Sequence, residues 1–450
     1  MNQLAPGPGF FSGFSTMRRF RADPLGEMIR LHNIWGDMVR IPVGSLQINL
    51  AGRPEFVQDF LVTNAQKYGM SPRYKAMKPL LGNGLLTSEG PGWLSRRRTI
   101  QPIFKRDRVS NWDHVFTEAC EHTTGRLAKL PADQPIDVAK LMMELTFAII
   151  GRAMFSSDLS TLSDVVYTNL ETAMVEMKRR ASARIKLPMR WPTPANQRYN
   201  KSIRNLIPIV EKLIKDRRAI PENQRPDDLL TLLLSSRDPE NPDITLTDEQ
   251  IRDECTTILV AGHETTANAM SWTWYLLSQN PDQGNRLREE CKAVLQGRTP
   301  TAKDLPSLPL SEKVILESMR LFPPVWFINR IAHEESEIGP YHIGKGAIVV
   351  GSAWKMHRDE RWWPNPLQFN PDRFTTGHDD NRHRFAYFPF GGGQKKCIGQ
   401  SFAMIEAQLI LISLVQKFAF ELVPDHPVVP RPLVTLSPAH GLPMYVKTME

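Results

Sequence analysis

The sequence predicts a mainly helical protein with a small β-rich lobe. Two segments show the alternation of apolar and polar residues that strands require, residues 37–52 near the N-terminus and residues 331–354 late in the chain. Between them, apolar residues mostly recur at helical spacing. With 450 residues, of which 41% are hydrophobic, the chain is long enough to bury a large core.

The two β-like segments also bear on domain organisation. If they pair, the first and last thirds of the chain meet in one small sheet, which argues against independently folded domains. Apolar stretches such as residues 145–155 are broken by charged residues well before the roughly 18 residues that a membrane span needs. We therefore predict a single domain over residues 1–450, with neither a reductase domain nor a transmembrane segment.

The longest predicted helix begins after Thr247 and ends before Asn280-Pro281. The sequence TDEQ at residues 247–250 has the form of a capping box, and apolar residues follow it at helical spacing. About 30 residues correspond to roughly 45 Å, enough to cross a whole domain. The middle of this helix reads AGHETTA, residues 261–267, which is unexpectedly polar for a buried helix.

Cysteine usage and net charge narrow the class of protein. The four cysteines are scattered, with no spacing suited to zinc, and the N-terminus lacks the pattern of an export signal. We expect reduced thiols and a cytoplasmic protein. The net charge of +8 is compatible with nucleic acid, an acidic membrane, an acidic protein partner or simply a solvated basic surface.

The segment FPFGGGQKKCIGQSFA, residues 388–403, carries the most specific signal. A thiol becomes a useful ligand only as a thiolate, and a helix beginning at Ile398 would direct its positive dipole end at Cys397. The glycines at residues 391–393 would let the backbone pass close to a flat cofactor. A buried structural cysteine beside a glycine turn is the alternative, but it does not explain the full spacing.

This segment resembles the cysteine-ligand loop of the cytochrome P450 family of haem-thiolate monooxygenases, in particular its soluble bacterial members. The family spacing is met by Phe390, Gly393, Lys395, Cys397 and Gly399. The resemblance implies haem b buried between the long helix and this loop, with Cys397 as the axial iron ligand. At the position of Lys395 the family usually has Arg or His, which contacts a haem propionate, and lysine cannot form the same bidentate fork.

Further motifs follow in the family's order. Glu317 and Arg320, with Arg373 from the segment PDRF, match a structural ion-pair network that holds the cysteine loop. Trp93 and Arg97 match a propionate-binding pair. The same resemblance assigns the other propionate to Arg330, although each of these cations could equally be a solvated surface charge.

The resemblance also explains the polar middle of the long helix as an oxygen-activation signature. It implies that Glu264 relays protons and that Thr265 supplies a hydroxyl group. It also implies that Ala261 and Gly262, which have small side chains, face the iron. The alternative is structural: Thr265 bonds back to a helix carbonyl and Glu264 pairs with a cation.

These motifs together predict a monooxygenase that inserts one oxygen atom from O2 into a C–H or C=C bond of a lipophilic substrate, such as a fatty acyl chain or a terpenoid. A peroxide-driven peroxygenase and a non-enzymatic haem sensor are the alternatives. The family analogy places five residues around the substrate pocket: Leu86, Met174, Ala261, Val325 and Phe327. We expect a monomer that receives electrons from an acidic ferredoxin or flavodoxin with its NAD(P)H-dependent reductase.

Overall fold

The structure is a computed structural model that describes residues 3–156, 188–375, 377 and 381–449, together with positions 165, 168, 169, 171–173, 175, 176 and 179. It is mainly helical, as predicted. The α-helices of the described residues are, in chain order, α1 (Phe10–Ala22), α2 (Pro24–Trp35), α3 (Pro54–Gln58), α4 (Pro72–Lys75), α5 (Lys78–Leu81), α6 (Pro91–Ile100), α7 (Arg106–Ser110), α8 (Asp113–Leu127), α9 (Val138–Phe155), α10 (Pro194–Ala219), α11 (Leu229–Ser235), α12 (Asp248–Gln279), α13 (Pro281–Leu295), α14 (Pro309–Leu321), α15 (Ala353–Met356) and α16 (Gln400–Val415).

The strands are short and belong to small sheets. They are β1 (Met38–Val43), β2 (Leu46–Ala51), β3 (Tyr68–Gly69), β4 (Ile136–Asp137), β5 (Ile328–Ala332), β6 (Ser336–Ile338), β7 (Tyr341–Ile343), β8 (Ile348–Gly351), β9 (Phe418–Leu422), β10 (Pro430–Pro432), β11 (Leu436–Pro438) and β12 (Pro443–Thr448). The chain divides into two compact units, and each unit combines two separate segments of sequence.

The first unit consists of Met1–Pro72 and Leu316–Cys397. Its five-stranded sheet has the order β1-β2-β8-β5-β3. Strands β1 and β2 pair antiparallel within the first β-like segment, and β2 runs parallel to β8 with Ile48 opposite Ile348. This pairing confirms that the two β-like segments of the sequence share one sheet.

The second unit consists of Arg73–Ile315 and Ile398–Glu450. Its longest element is α12, with 32 residues, and α9 packs along it. The Thr247 hydroxyl oxygen accepts from the backbone N–H of Gln250, and the side-chain oxygen of Gln250 accepts from the backbone N–H of Thr247. These two bonds confirm the predicted capping box. None of the helices in the described part of the chain is both long enough and apolar enough to span a bilayer. That residues 1–450 act as one haem domain stays a prediction.

Candidate active site

The glycines before Cys397 are required by the local fold of the first unit. Gly391 and Gly393 have φ values of 74° and 66°, in the left-handed region that favours glycine. A Cβ atom at Gly393 would lie 1.9 Å from the carbonyl oxygen of Leu61, and one at Gly392 would lie 2.4 Å from the Phe385 ring. Packing within the unit therefore accounts for two of the three glycines, a reason that the sequence did not reveal.

Cys397 differs from the other cysteines of the chain in its surroundings. Its backbone N–H donates to the Phe390 carbonyl at 2.9 Å, which closes the loop, and the residue is exposed. Cys120, Cys255 and Cys291 are buried, and burial raises the pKa of each thiol; for Cys120 and Cys291 it reaches about 12. Thiols held in this way stay protonated at neutral pH, so Cys397 is the cysteine whose surroundings fit a metal-binding thiolate.

The helix after Cys397 starts later than predicted. Helix α16 begins at Gln400, whereas Ile398 and Gly399 form a turn. The predicted start at Ile398 is therefore wrong by two residues. Gly399 occupies the N-cap position, where its carbonyl accepts from the Ala403 N–H at 2.9 Å.

A buried ion-pair network connects to the cysteine loop within the first unit. Glu317 and Arg320 are fully buried and form two hydrogen bonds, of 2.6 and 2.9 Å. Arg373 lies 3.3 Å from the same carboxylate. Buried ion pairs are tolerated only when their remaining donors and acceptors are satisfied, and here Arg320 also donates to the carbonyl of His357 at 2.7 Å.

His357 is a residue of this network that sequence reasoning missed. Its Nε2 atom accepts from the backbone N–H of Phe388 at 3.1 Å, at the start of the cysteine loop. Burial lowers the pKa of His357 well below its usual value, and the guanidinium groups of Arg320 and Arg358 add to this effect. The imidazole is therefore neutral, as an acceptor at Nε2 requires. No spacing in the sequence marks this contact.

The predicted oxygen-activation residues lie at the middle of α12 in the second unit. The Thr265 hydroxyl donates to the Ala261 carbonyl at 2.7 Å. This is the hydrogen bond to a helix carbonyl that would give Thr265 a purely structural role. Ala261 is exposed, although most residues of this helix are buried. A Cβ atom at Gly262 would lie 3.3 Å from Ile150 on α9, so the close packing of the two helices also favours a small residue there.

The Glu264 side chain points to a hydroxyl group rather than to a cation. The Thr435 hydroxyl donates to Oε1 of Glu264, and Asn268 donates to Thr435 at 3.2 Å. Burial raises the pKa of Glu264, an effect that the Thr435 hydrogen bond and the charge of Arg431 partly offset. A raised pKa favours the protonated form of a carboxyl group, which can then serve as a proton donor. Thr435 and Asn268 were not identified from the sequence.

The residues predicted to bind propionates have partners of their own within their units. The Trp93 indole N–H donates to the Leu85 carbonyl at 3.1 Å, and the half-buried Arg97 guanidinium lies 5.7 Å from the Trp93 ring. Arg330 is half-buried and donates to the carbonyl of Asn329 at 2.8 Å. Lys395, in the cysteine loop, is also half-buried.

Several arginines near Arg97 are engaged in ion pairs. Arg96 lies 3.8 Å from Glu254, and Arg98 lies 2.5 Å from Glu240. Their charges are thus partly neutralised within the second unit, and the positive charge of this helix is smaller than its sequence indicates.

The predicted pocket residues are partly accessible. Leu86 is 36% exposed, and Val325 and Phe327 are half-buried. Met174 lies outside the described residues.

Two acids of α12 hold the segment before Leu86. The backbone N–H groups of Asn83 and Leu85 donate to the carboxylates of Asp253 and Glu254 at 2.7 and 3.0 Å. These two hydrogen bonds hold residues 83–85 against α12, a contact that the sequence did not indicate; it indicated only that Leu86 lies near the substrate pocket.

Comparison with known proteins places these features in a family. The family model described as cytochrome P450 matches residues 5–441. The chain is 34% identical to cyclooctatin synthase of Streptomyces melanosporofaciens, over 89% of this chain and 87% of that protein. It is 32% identical to cyclooctat-9-en-7-ol 5-monooxygenase of the same organism, over 86% and 83% of the two chains. The crystal structure of the cytochrome P450DA haem domain matches with a TM-score of 0.90 at 26% identity, covering 100% of this chain and 99% of that one.

Proposed function

Because the chain belongs to the cytochrome P450 family of haem b monooxygenases, we propose that it inserts one oxygen atom from O2 into a C–H or C=C bond of a lipophilic substrate. The observation that carries this proposal is the Cys397 loop. Its spacing fits the family, its turn is fixed by glycines, and its cysteine is exposed while the chain's other three cysteines are buried.

Particular residues are proposed to hold the haem. Cys397 would supply the thiolate that binds the iron, and the half-buried cations Arg97, Arg330 and Lys395 would pair with propionates, because buried carboxylates need cationic partners. Ala261, whose methyl side chain leaves the surface of α12 open, would lie beside the ring. When bound, haem b supplies the iron that activates O2, and a thiolate ligand favours cleavage of the O–O bond.

Glu264 and Thr265 are proposed to handle protons. Burial raises the pKa of Glu264 and so favours its protonated form, and the carboxyl group would take up a proton from solvent and pass it on. The Thr265 hydroxyl has one proton, which it donates to the Ala261 carbonyl, and two lone pairs that can accept from a water molecule. The pair would thus orient one water molecule and deliver protons through it.

The substrate is proposed to be a terpenoid-like molecule with a largely hydrocarbon skeleton. The two Streptomyces relatives are named for cyclooctat compounds, and one name specifies an alcohol that contains a C=C bond. The pocket residues Leu86, Val325 and Phe327 are apolar, which suits such a skeleton. A panel of terpenoids and fatty acids, compared by the shift of the haem spin state on binding, would separate these classes.

Electrons are proposed to come from a separate acidic protein, a ferredoxin or flavodoxin with its NAD(P)H-dependent reductase. The support for this is the net charge of +8 and the exposed Lys396 next to Cys397. Charge complementarity of this kind accelerates encounter and is screened by salt. Reduction of the haem by such a protein should therefore slow as ionic strength rises. Location in the cytoplasm and the monomeric state stay predictions.

The reaction class is tested by the source of the inserted oxygen atom. With O2 labelled with oxygen-18, a reductase system and a substrate from the panel, the product should carry the label, and peroxide alone should support little turnover. Product formed equally well from peroxide without electrons would favour a peroxygenase. A protein that binds haem and forms no product under either condition would favour a haem sensor.

A further inference from the structure

One face of α12 is fastened to the turn between β10 and β11. Glu264, Asn268 and Trp272 are spaced four residues apart, so they follow one another along the same face of the helix. The Thr435 hydroxyl donates to Glu264, Asn268 Nδ2 donates to Thr435 at 3.2 Å, and Trp272 Nε1 donates to the Leu436 carbonyl at 2.9 Å. Side chains from three successive turns of α12 therefore bind this turn and the start of β11.

The direction of these hydrogen bonds decides which carboxyl oxygen of Glu264 can carry a proton. An amide nitrogen can only donate, whereas a threonine hydroxyl has one proton and two lone pairs. Because Asn268 donates to the Thr435 oxygen, the hydroxyl proton of Thr435 points at Oε1 of Glu264. Oε1 is then an acceptor, and because the carbonyl oxygen of a carboxylic acid accepts better than its hydroxyl oxygen, this contact favours a proton on Oε2.

The surroundings of these groups keep the arrangement fixed. Thr435 and Asn268 are 5% and 3% exposed, so water does not compete for their hydrogen bonds. Among the described residues, two charged groups act on Glu264: Arg431 on β10 lowers the pKa of Glu264, and Glu171 raises it. These two lie 3.7 Å apart as an ion pair.

We propose that Thr435 is a positioning residue for proton delivery, which holds Oε1 of Glu264 as an acceptor and leaves Oε2 to take up and release the proton. This inference rests on the proposed role of Glu264 in oxygen activation. Thr435 acts through Glu264, and the same hydrogen bond stabilises the carboxylate form against the effect of burial.

The opposite arrangement makes a different prediction. If the side-chain amide of Asn268 is turned over, its oxygen accepts from Thr435, and Thr435 in turn accepts from protonated Glu264. The contact would then stabilise the protonated acid. Removing the Thr435 hydroxyl should raise the pKa of Glu264 in the proposed arrangement and lower it in the reversed one.

The test is a titration of Glu264 in the haem-loaded protein by infrared spectroscopy. The C=O band of the protonated acid is identified by its loss in Glu264→Gln and is followed against pH. In Thr435→Val the midpoint should move to higher pH, and in Thr435→Ser it should return towards the native value. A midpoint that moves to lower pH in Thr435→Val, or does not move, would overturn the proposal.

A matched control and a second readout separate this inference from the function on which it rests. Thr273→Val removes another buried hydroxyl of α12, which donates to the Ala269 carbonyl at 2.8 Å, and it should leave the midpoint unchanged. The yield of product per electron is then measured in Glu264→Gln. If that yield is undiminished while Thr435→Val still shifts the midpoint, the role of Glu264 in oxygen activation fails and the positioning contact stands.

Discussion

The two units surround their carboxyl groups differently. The contrast is between Glu317, in the unit that carries the cysteine loop, and two glutamates of the other unit, Glu264 and Glu406. Glu317 is fully buried and pairs with two guanidinium groups, those of Arg320 and Arg373. Glu264 accepts from the Thr435 hydroxyl, the oxygens of Glu406 have no hydrogen-bond partner at normal geometry among the described residues, and burial raises the pKa of both groups. A paired carboxylate fixes a structure, whereas a carboxyl group with a raised pKa can exchange a proton.

The largest effect should come from breaking the paired carboxylate. Arg320→Leu leaves the charge of Glu317 buried beside Arg373 alone, and such a loss destabilises a protein by about 3–5 kcal/mol. Denaturant unfolding and haem retention would both measure it. The matched control is Lys447→Leu, which breaks a pair with Glu421 whose side chains are 55% and 52% exposed and which should cost below about 1 kcal/mol. Equal losses in the two variants would show that the buried network is not what stabilises the first unit.

A similarly large but pH-dependent effect is expected at Glu406. This residue on α16 is fully buried, and neither of its oxygens has a hydrogen-bond partner at normal geometry among the described residues. Burial raises its pKa from 4.5 to about 8, which the Thr266 hydroxyl offsets only in part. The folded protein therefore keeps this proton up to about pH 8, whereas the unfolded chain releases it near pH 4.5.

Stability should accordingly fall as pH rises from the unfolded to the folded pKa of Glu406. Glu406→Gln removes this ionisation, so the variant should lose less stability than the native protein over that range, by an amount on the order of 3–5 kcal/mol at pH 8. The free energy of unfolding is measured from pH 5 to about pH 8, with the exposed Glu421→Gln as control. Parallel pH profiles for Glu406→Gln and the native protein would mean that Glu406 is ionised in the fold.

A smaller effect is expected at the cysteine loop itself. Gly393→Ala places a Cβ atom 1.9 Å from the Leu61 carbonyl oxygen on a backbone with φ of 66°, so the loop must shift. Strain of this kind costs about 1–3 kcal/mol, and haem should dissociate faster. Gly92→Ala is the control, since a Cβ atom there meets no atom within 4 Å. Unchanged haem dissociation in Gly393→Ala would remove the proposed link between this turn and haem binding.

Thr265→Ala should change stability least, because among the described residues the hydrogen bond of this hydroxyl stays within its own helix, at the Ala261 carbonyl. Haem binding and the spin-state shift on substrate binding should persist, while more of the consumed electrons appear as peroxide and fewer as product. The ratio of product to reduced cofactor consumed measures this coupling. An unchanged ratio would leave Thr265 with the structural role that its back-bond also satisfies.

Much of this comparison could be predicted from the sequence where partners are close along the chain. The capping box at Thr247 lies within one helical turn, so residue spacing alone suggested it. The Glu317–Arg320 pair also lies within one turn, but it was expected because the family resemblance marked it. The β-like segments were recognisable because their side chains alternate, whereas their pairing was a condition that the sequence raised and the structure confirmed.

Contacts between distant residues could not be predicted in this way. Thr435 lies 171 residues from Glu264 along the chain, and Phe388 lies 31 residues from His357. Neither contact repeats with any period, so no pattern in the sequence marks it. The requirement for glycine at position 393 has the same origin, because the atom that excludes a side chain belongs to Leu61.

The central claim is that Cys397 supplies the thiolate ligand of haem b, and the absorption spectrum of the reduced protein with carbon monoxide tests it most directly. The native protein should show the strongly red-shifted Soret band of thiolate-ligated haem. Cys291→Ala, which alters a buried cysteine of α13, should keep this band, and Cys397→Ala should lose it. If the red-shifted band persists in Cys397→Ala, another residue binds the iron and the account of this site is wrong.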